Sequence, residues 1–272
     1  MAASHRQALC TRAGGFVIRQ AGIRSGGGHC VCHYHGSNGQ FTKETKRHVP
    51  GRKDSFMTDS LISCLSVDPD VGAAVRRIGP CRLQGRGDQE PYDALLRAIA
   101  GQQLHGVAAR RIFGRLCLLG PEASEDGTPP APGALLALSE DVLRACGLSA
   151  SKQSAMRGVA QARLDGLVPS RQDADELEDE DLIQRLITLR GVGRWTVEML
   201  LMLTLNRPDV MPVDDFGVRE GWRRIKGLDI APKPKALKIE TLPFSPHRSA
   251  LAWYCWRVAE EGRKTAPNVL TG

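Results

Sequence analysis

No stretch of this 272-residue chain reaches the roughly 18 consecutive apolar residues that a membrane-spanning helix requires. The longest apolar segment, Val197 to Leu205, is interrupted by Glu198 and Thr204 and reads as a buried helix. Aromatic residues are few, and no alternation of apolar and polar residues runs long enough to mark a half-buried strand, which leaves an all-α fold. The last five cysteines, Cys64, Cys81, Cys117, Cys146 and Cys255, contain no CxxC pair and no cluster of four. An iron–sulfur cluster has no ligand set there, and scattered thiols of this kind suit a reducing, cytoplasmic setting. An excess of charge is also missing where a core would form. Of the 37 Lys and Arg residues, 9 fall in residues 1–56 with only 2 of the 30 acids, so the remaining 28 of each sign cancel. The formal charge of +7 therefore belongs to the N-terminal segment, and DNA affinity in the rest must come from local geometry.

Residues 1–56 are rich in Gly, Arg, His and Ser and poor in aliphatic periodicity, so disorder is expected. A transit peptide would have this basic, acid-poor character; a chain whose translation starts at Met57 is the other reading. The run HCVCHYH (His29 to His35) gathers metal-ligand types without a second pair at a defined distance, so no metal site is assigned.

From Met57 onward the pattern is helical. Apolar residues recur at three- and four-residue spacing over Asp68–Ile78, Pro91–Ala100, Leu104–Leu118, Ala134–Leu138, Ser139–Cys146, Ser149–Ala162 and Asp179–Thr188. The same spacing continues over Arg194–Asn206, Asp215–Lys226 and Ser249–Glu261. Residues 120–133 (GPEASEDGTPPAPG) form a Pro/Gly loop, the acidic run Asp173 to Asp181 is a solvated face or a helix start, and no internal repeat is visible.

One short segment, LRGVGRWTV (Leu189 to Val197), places Gly191 and Gly193 in a tight turn between two of these helices, with Val192 packing inward. A helix N-terminus bared by glycine, with Arg194 beside it, offers free N–H groups and a positive dipole end to one DNA phosphate. Taken alone, a glycine turn between helices is common and carries little information.

The residues around it add to the signal. After the hairpin comes NRPDVMPVDDFGVREG (Asn206 to Gly221), with Asp215 lying 22 residues past Gly193. This arrangement resembles the helix-hairpin-helix and Gly/Pro-rich loop with catalytic aspartate of the HhH-GPD superfamily of DNA base-excision glycosylases. LLRAIAGQQLHGVAARRIF (Leu95 to Phe113) and SPHRSALAWYCWR (Ser245 to Arg257) resemble the early helix pair and closing helix of its AlkA-type branch, the 3-methyladenine DNA glycosylase II family. The likeness runs from about Asp59 to Glu261 and implies two helical subdomains flanking a cleft. Only about forty residues separate Met57 from the first shared helix pair, too few for the additional N-terminal β domain of some members. A compact glycosylase domain over residues 57–272 is the expectation.

Helical phase does not choose between the adjacent Asp214 and Asp215. The family pattern does, because Asp215, Val218 and Arg219 fit its aspartate, aliphatic and basic positions, whereas Asp214 would put Gly217 at the aliphatic one. A carboxylate beside the sugar can stabilise the positive charge that develops as an N-glycosidic bond breaks and can orient a water. Glycosylases of this superfamily that also cleave the strand carry a Schiff-base lysine after the hairpin; the matching residue here is Trp195, which implies hydrolysis alone.

Trp195 and Trp256 match pocket tryptophans of the branch, and Trp253 and Met199 are placed with them, although each would otherwise read as an ordinary core residue. Such a pocket would receive a base flipped out of duplex DNA, and an indole face over a cationic alkylpurine gains about 0.5–2 kcal/mol. Gln103 and Leu104 fall where the family fills the gap left by the flipped base, with His105 replacing its usual small polar residue. Lys152 is assigned to a phosphate, and Arg248 to the DNA backbone or to pairing with an acid. The resemblance further implies a structural monovalent cation on the carbonyls of Ile187, Leu189 and Val192, no catalytic cofactor, and a monomer acting on the DNA of the nucleoid unless residues 1–56 target an organelle. Excision of 3-methyladenine and 7-methylguanine is the leading expectation. Hypoxanthine or etheno-adenine excision, and a non-catalytic DNA-binding module, are the rivals.

Overall fold

The computed structural model describes residues 59–85, 89–104 and 106–265, and among them every regular element is helical. Residues 1–56 with their HCVCHYH run, and His105, lie outside the described residues. The helices are α1 (Asp59–Leu65), α2 (Pro69–Ile78), α3 (Pro91–Gly101), α4 (Gly106–Cys117), α5 (Pro132–Ala137), α6 (Glu140–Ala145) and α7 (Ala150–Leu164). They continue with α8 (Arg171–Glu176), α9 (Asp179–Leu186), α10 (Arg194–Leu203), α11 (Phe216–Ile225), α12 (Pro234–Glu240) and α13 (Arg248–Thr265).

Local chemistry sets many of these boundaries. Asp68 caps α2 by accepting from the amides of Asp70 and Val71, Pro69 occupies the first helical position, and Arg76 and Arg77 sit in the last turn against the negative dipole end. Ser139, Ser149 and Ser170 cap α6, α7 and α8 through their hydroxyl oxygens. Three helices were not expected from periodicity, namely α1, α8 and α12, each of six or seven residues. The acidic run is divided between the end of α8 and the first turn of α9, where Asp179, Glu180 and Asp181 favour the positive helix end. The helix expected from Leu104 instead starts at Gly106, because Gln102 to Leu104 turn away from α3.

Packing gathers the helices into two groups. In one, α3 lies on α4 and α7, with α5 and α6 against α7; in the other, α11 and α13 pack along each other with α2 on both. Helix α10 packs against α3 and α9. A continuous core of buried Leu, Val, Ile and Ala runs through the described residues. The α11–α13 pair depends on Gly221: a Cβ built there would lie 2.0 Å from the Cys255 carbonyl oxygen, so only glycine permits this approach. That approach brings the start of α11 next to Trp256. The five cysteines from Cys64 onward are free thiols, four of them buried.

Candidate active site

The hairpin lies between α9 and α10. Gly191 adopts a left-handed φ of 81°, which an L-residue resists, and a Cβ there would meet the Ala155 Cβ of α7 at 3.0 Å. Val192 is buried, as expected, and its amide donates to the Leu189 carbonyl at 3.1 Å. Gly193 serves differently. Its φ of −94° suits any residue and the space a Cβ would occupy is open, so its contribution is a missing side chain: α10 starts without a side-chain cap. The orphan N–H groups of its first turn stay open to a ligand.

Arg194, expected at a phosphate, is engaged within the protein. Its Nη1 and Nη2 donate to Glu180 at 3.0 and 2.7 Å and its Nε to Glu198 at 3.2 Å. That fork, with Gln184, holds the Glu180 carboxyl down to about 2, whereas burial pushes Glu198 up to about 7, aided by the charges of Asp214 and Glu180. Arg248 resolves to its second alternative, since Nε and Nη2 donate to the two carboxylate oxygens of Asp209 at 2.7 and 2.8 Å. Lys152 departs from expectation as well: its ammonium donates to the carbonyls of Ala100 and Gln102 at 2.8 and 2.9 Å, beneath the end of α3.

Of the two aspartates, Asp214 is exposed and Asp215 is half-buried at the N-cap of α11. Asp215 Oδ1 accepts from the Val218 amide at 2.8 Å and from Trp256 Nε1 at 2.9 Å, and Oδ2 accepts from Trp195 Nε1 at 2.8 Å. Three donors from three elements orient this carboxylate. A carboxylate accepts about four hydrogen bonds, so Oδ2 keeps room for one more.

Asp215 lies on the wall of a cavity of about 940 Å³ that also takes in Trp195, Trp256, Met199, Gln103 and Leu104. Helix α3 supplies the facing wall through Ala94, Arg97, Ala98 and Gly101. These four were not singled out from sequence, although their i, i+3, i+4, i+7 spacing marks one helix face. Trp253 does not line the cavity. It packs edge-on against Tyr254 with ring centres 5.0 Å apart, and the Arg257 guanidinium lies 5.5 Å from its ring. Gln103 holds a left-handed φ of 59° and Leu104 is 41% exposed, so the turn after α3 presents an apolar side chain at the cavity edge. Among the described residues, no three His, Cys, Asp or Glu side chains gather to hold a metal.

A glycine-mouthed helical hairpin, followed by an oriented aspartate on the wall of an indole-lined cavity, defines a helix-hairpin-helix architecture. Residues 96–245 match the HhH-GPD superfamily of base excision DNA repair proteins. The chain is 40% identical over 212 residues to DNA-3-methyladenine glycosylase 1 of Schizosaccharomyces pombe, covering 78% of this chain and 91% of that one. It is 26% identical over 192 residues to DNA-3-methyladenine glycosylase 2 of Escherichia coli, covering 68% and 64%. The solved structure of the S. pombe 3-methyladenine DNA glycosylase with abasic DNA superimposes with a TM-score of 0.68 at 36% identity, over 75% of this chain and 97% of that one. The chain belongs to the HhH-GPD superfamily.

Proposed function

We propose that this protein is a monofunctional DNA glycosylase that hydrolyses the N-glycosidic bond of alkylated purines, acting as a monomer on duplex DNA. The observation that carries the reading is the Asp215 carboxylate, held by two indole N–H groups and one amide on the wall of an indole-lined cavity. Relatives across 78% and 68% of the chain bear the 3-methyladenine glycosylase name, and one was solved with abasic DNA. In this reading the bare start of α10 binds a backbone phosphate, Leu104 and Gln103 enter the duplex, and the extruded base lies among Trp195, Trp256 and Met199. Positive charge builds on the sugar as the bond stretches; Asp215 stabilises it and orients the attacking water through the free acceptor position of Oδ2. A base alkylated at N3 or N7 is already cationic, which makes it a good leaving group and suits indole faces.

No lysine lines the cavity among the described residues, and Trp195 has no amine for a Schiff base, which supports hydrolysis without strand cleavage. The reading uses no cofactor. A monovalent cation on the carbonyls of Ile187, Leu189 and Val192 would share the Leu189 oxygen with the Val192 amide and would brace the turn without entering the reaction.

The test is single-turnover base release from methylated duplex DNA. Wild type is expected to release 3-methyladenine and 7-methylguanine and leave intact abasic strands. Asp215→Asn, which retains a good helix cap, is expected to lose about 10²–10³-fold in rate with DNA binding retained. Loss in Asp214→Asn instead would move the chemistry by one residue. DNA binding by wild type with no release from methylated, hypoxanthine or etheno-adenine duplexes would leave a binding module.

A further inference from the structure

The turn after α3 and the turn before α10 are far apart in sequence, yet one direct hydrogen bond and three contacts from α7 join them. Lys152 on α7 donates to the carbonyls of Ala100 and Gln102, two groups at the C-terminal end of α3 where intrahelical partners run out. The Gln102 side chain then donates to the Gly191 carbonyl at 2.7 Å, linking the first turn to the hairpin. Ala155, one turn along α7 from Lys152, abuts Gly191 from below. One face of α7 therefore supports both turns.

The site of each bond matters. The Gln102 carbonyl belongs to the peptide that leads into Gln103, the residue held at φ 59°, an uncommon conformation for a side-chain-bearing residue. Fixing that carbonyl fixes the peptide that aims Gln103 and Leu104. Lys152 is half-buried, and burial lowers its pKa, while the two carbonyl acceptors hold the ammonium in place.

We infer that Lys152 and Gln102 are positioning residues that lock the insertion turn (Gln103, Leu104) to the hairpin at Gly191, so that gripping the phosphate and entering the base stack occur at a fixed spacing. This rests on the glycosylase reading above. A strut of this kind lowers the cost of base flipping, because the inserting residue is already placed when the hairpin meets its phosphate.

The experiment is a double-mutant cycle on the full-length protein with Lys152→Met, Gln102→Met and Leu104→Ala. Flipping is read from the fluorescence of 2-aminopurine beside a methylated purine, and base release is followed in the same reactions. Lys152→Met and Gln102→Met are each expected to slow flipping and release about 10-fold, yet to change release by less than about twofold when Leu104 is already alanine. Affinity for undamaged duplex and its salt dependence are expected to be unchanged. A salt slope reduced by about one phosphate contact in Lys152→Met would overturn the inference in favour of a direct DNA contact. Losses that multiply fully with Leu104→Ala would also overturn it, as would flipping at the wild-type rate in Gln102→Met, the variant least exposed to folding defects. Absence of base release by wild type would instead reject the glycosylase reading, and the 2-aminopurine signal would still decide the strut.

Discussion

Two helices begin at the cavity, and they begin in opposite ways. Helix α11 is capped from within: Asp215 accepts the Val218 amide and satisfies part of the N-terminal turn. Helix α10 is capped by Gly193, which has no side chain to offer, so its N–H groups and dipole face outward. The backbone physics is the same in both. The difference lies in whether the helix mouth holds a carboxylate of the protein or stays open to an anion from outside. At α11 the cap also lines the cavity, where the indole donors of Trp195 and Trp256 hold the carboxylate.

Making the two starts alike is expected to have the largest effect. Gly193→Asp gives α10 its own carboxylate cap in a conformation that accepts any residue, with open space around the new side chain. Stability is expected to hold or rise by a few tenths of a kcal/mol, about the difference between glycine and aspartate at a cap. Affinity for undamaged duplex is expected to fall about 10- to 100-fold, since the phosphate meets a filled and negatively charged site. Fluorescence anisotropy at fixed salt measures this, and undiminished affinity would mean that the α10 terminus does not bind the backbone.

Much of this comparison was legible in the sequence. The glycine pair, the apolar residue between them and the aspartate spacing located both helix starts, and the family pattern selected Asp215 over Asp214. Cap residues and three-to-four spacing located the longer helices, whereas α1, α8 and α12 are too short for periodicity to register. Partners brought in by tertiary packing were not legible. Glu180 lies across the hairpin from Arg194, Asp209 enters from the loop before α11 to meet Arg248, and the carbonyls held by Lys152 are about fifty residues away in sequence. Arg194, Arg248 and Lys152 are cations that the sequence offered to DNA and the fold gave to nearer acceptors. Trp253 was misplaced for a related reason, since residue type cannot tell a wall tryptophan from one packed against Tyr254 and Arg257.

The two glycines of the hairpin sharpen the contrast at a smaller scale. Gly191 is required for its conformation and its closeness to Ala155, not for an open helix end. Gly191→Ala is expected to cost about 1–2 kcal/mol in stability, the penalty for placing a Cβ residue in the left-handed region, with some addition from the Ala155 contact. Thermal melts of Gly191→Ala and Gly193→Asp side by side separate the roles. Equal destabilisation of both would contradict the division between a conformational and a ligand-facing glycine.

The last effect concerns where each helix keeps its acid. In α11 the carboxylate stands at the cap; in α10 it is Glu198, one turn inside, 4% exposed, with Oε2 buried and unpartnered while Arg194 takes Oε1. Burial lifts its carboxyl from 4.5 to about 7, so the folded protein binds this proton more tightly than the unfolded chain does. Stability from this group is therefore present at low pH and declines as pH rises from about 4.5 to about 7, then levels off. Asp93, raised to about 6 by burial, adds a slope of the same sign, while Glu180, lowered to about 2, acts in the opposite sense and below this window. Glu198→Gln removes one contribution and leaves the other two. The fall in melting temperature between pH 5 and pH 8 is expected to be about 5–10 °C smaller in the variant than in wild type. An unchanged pH slope would show that Glu198 titrates as an ordinary solvated carboxylate, and that the start of α10 does not hold a buried acid behind its open mouth.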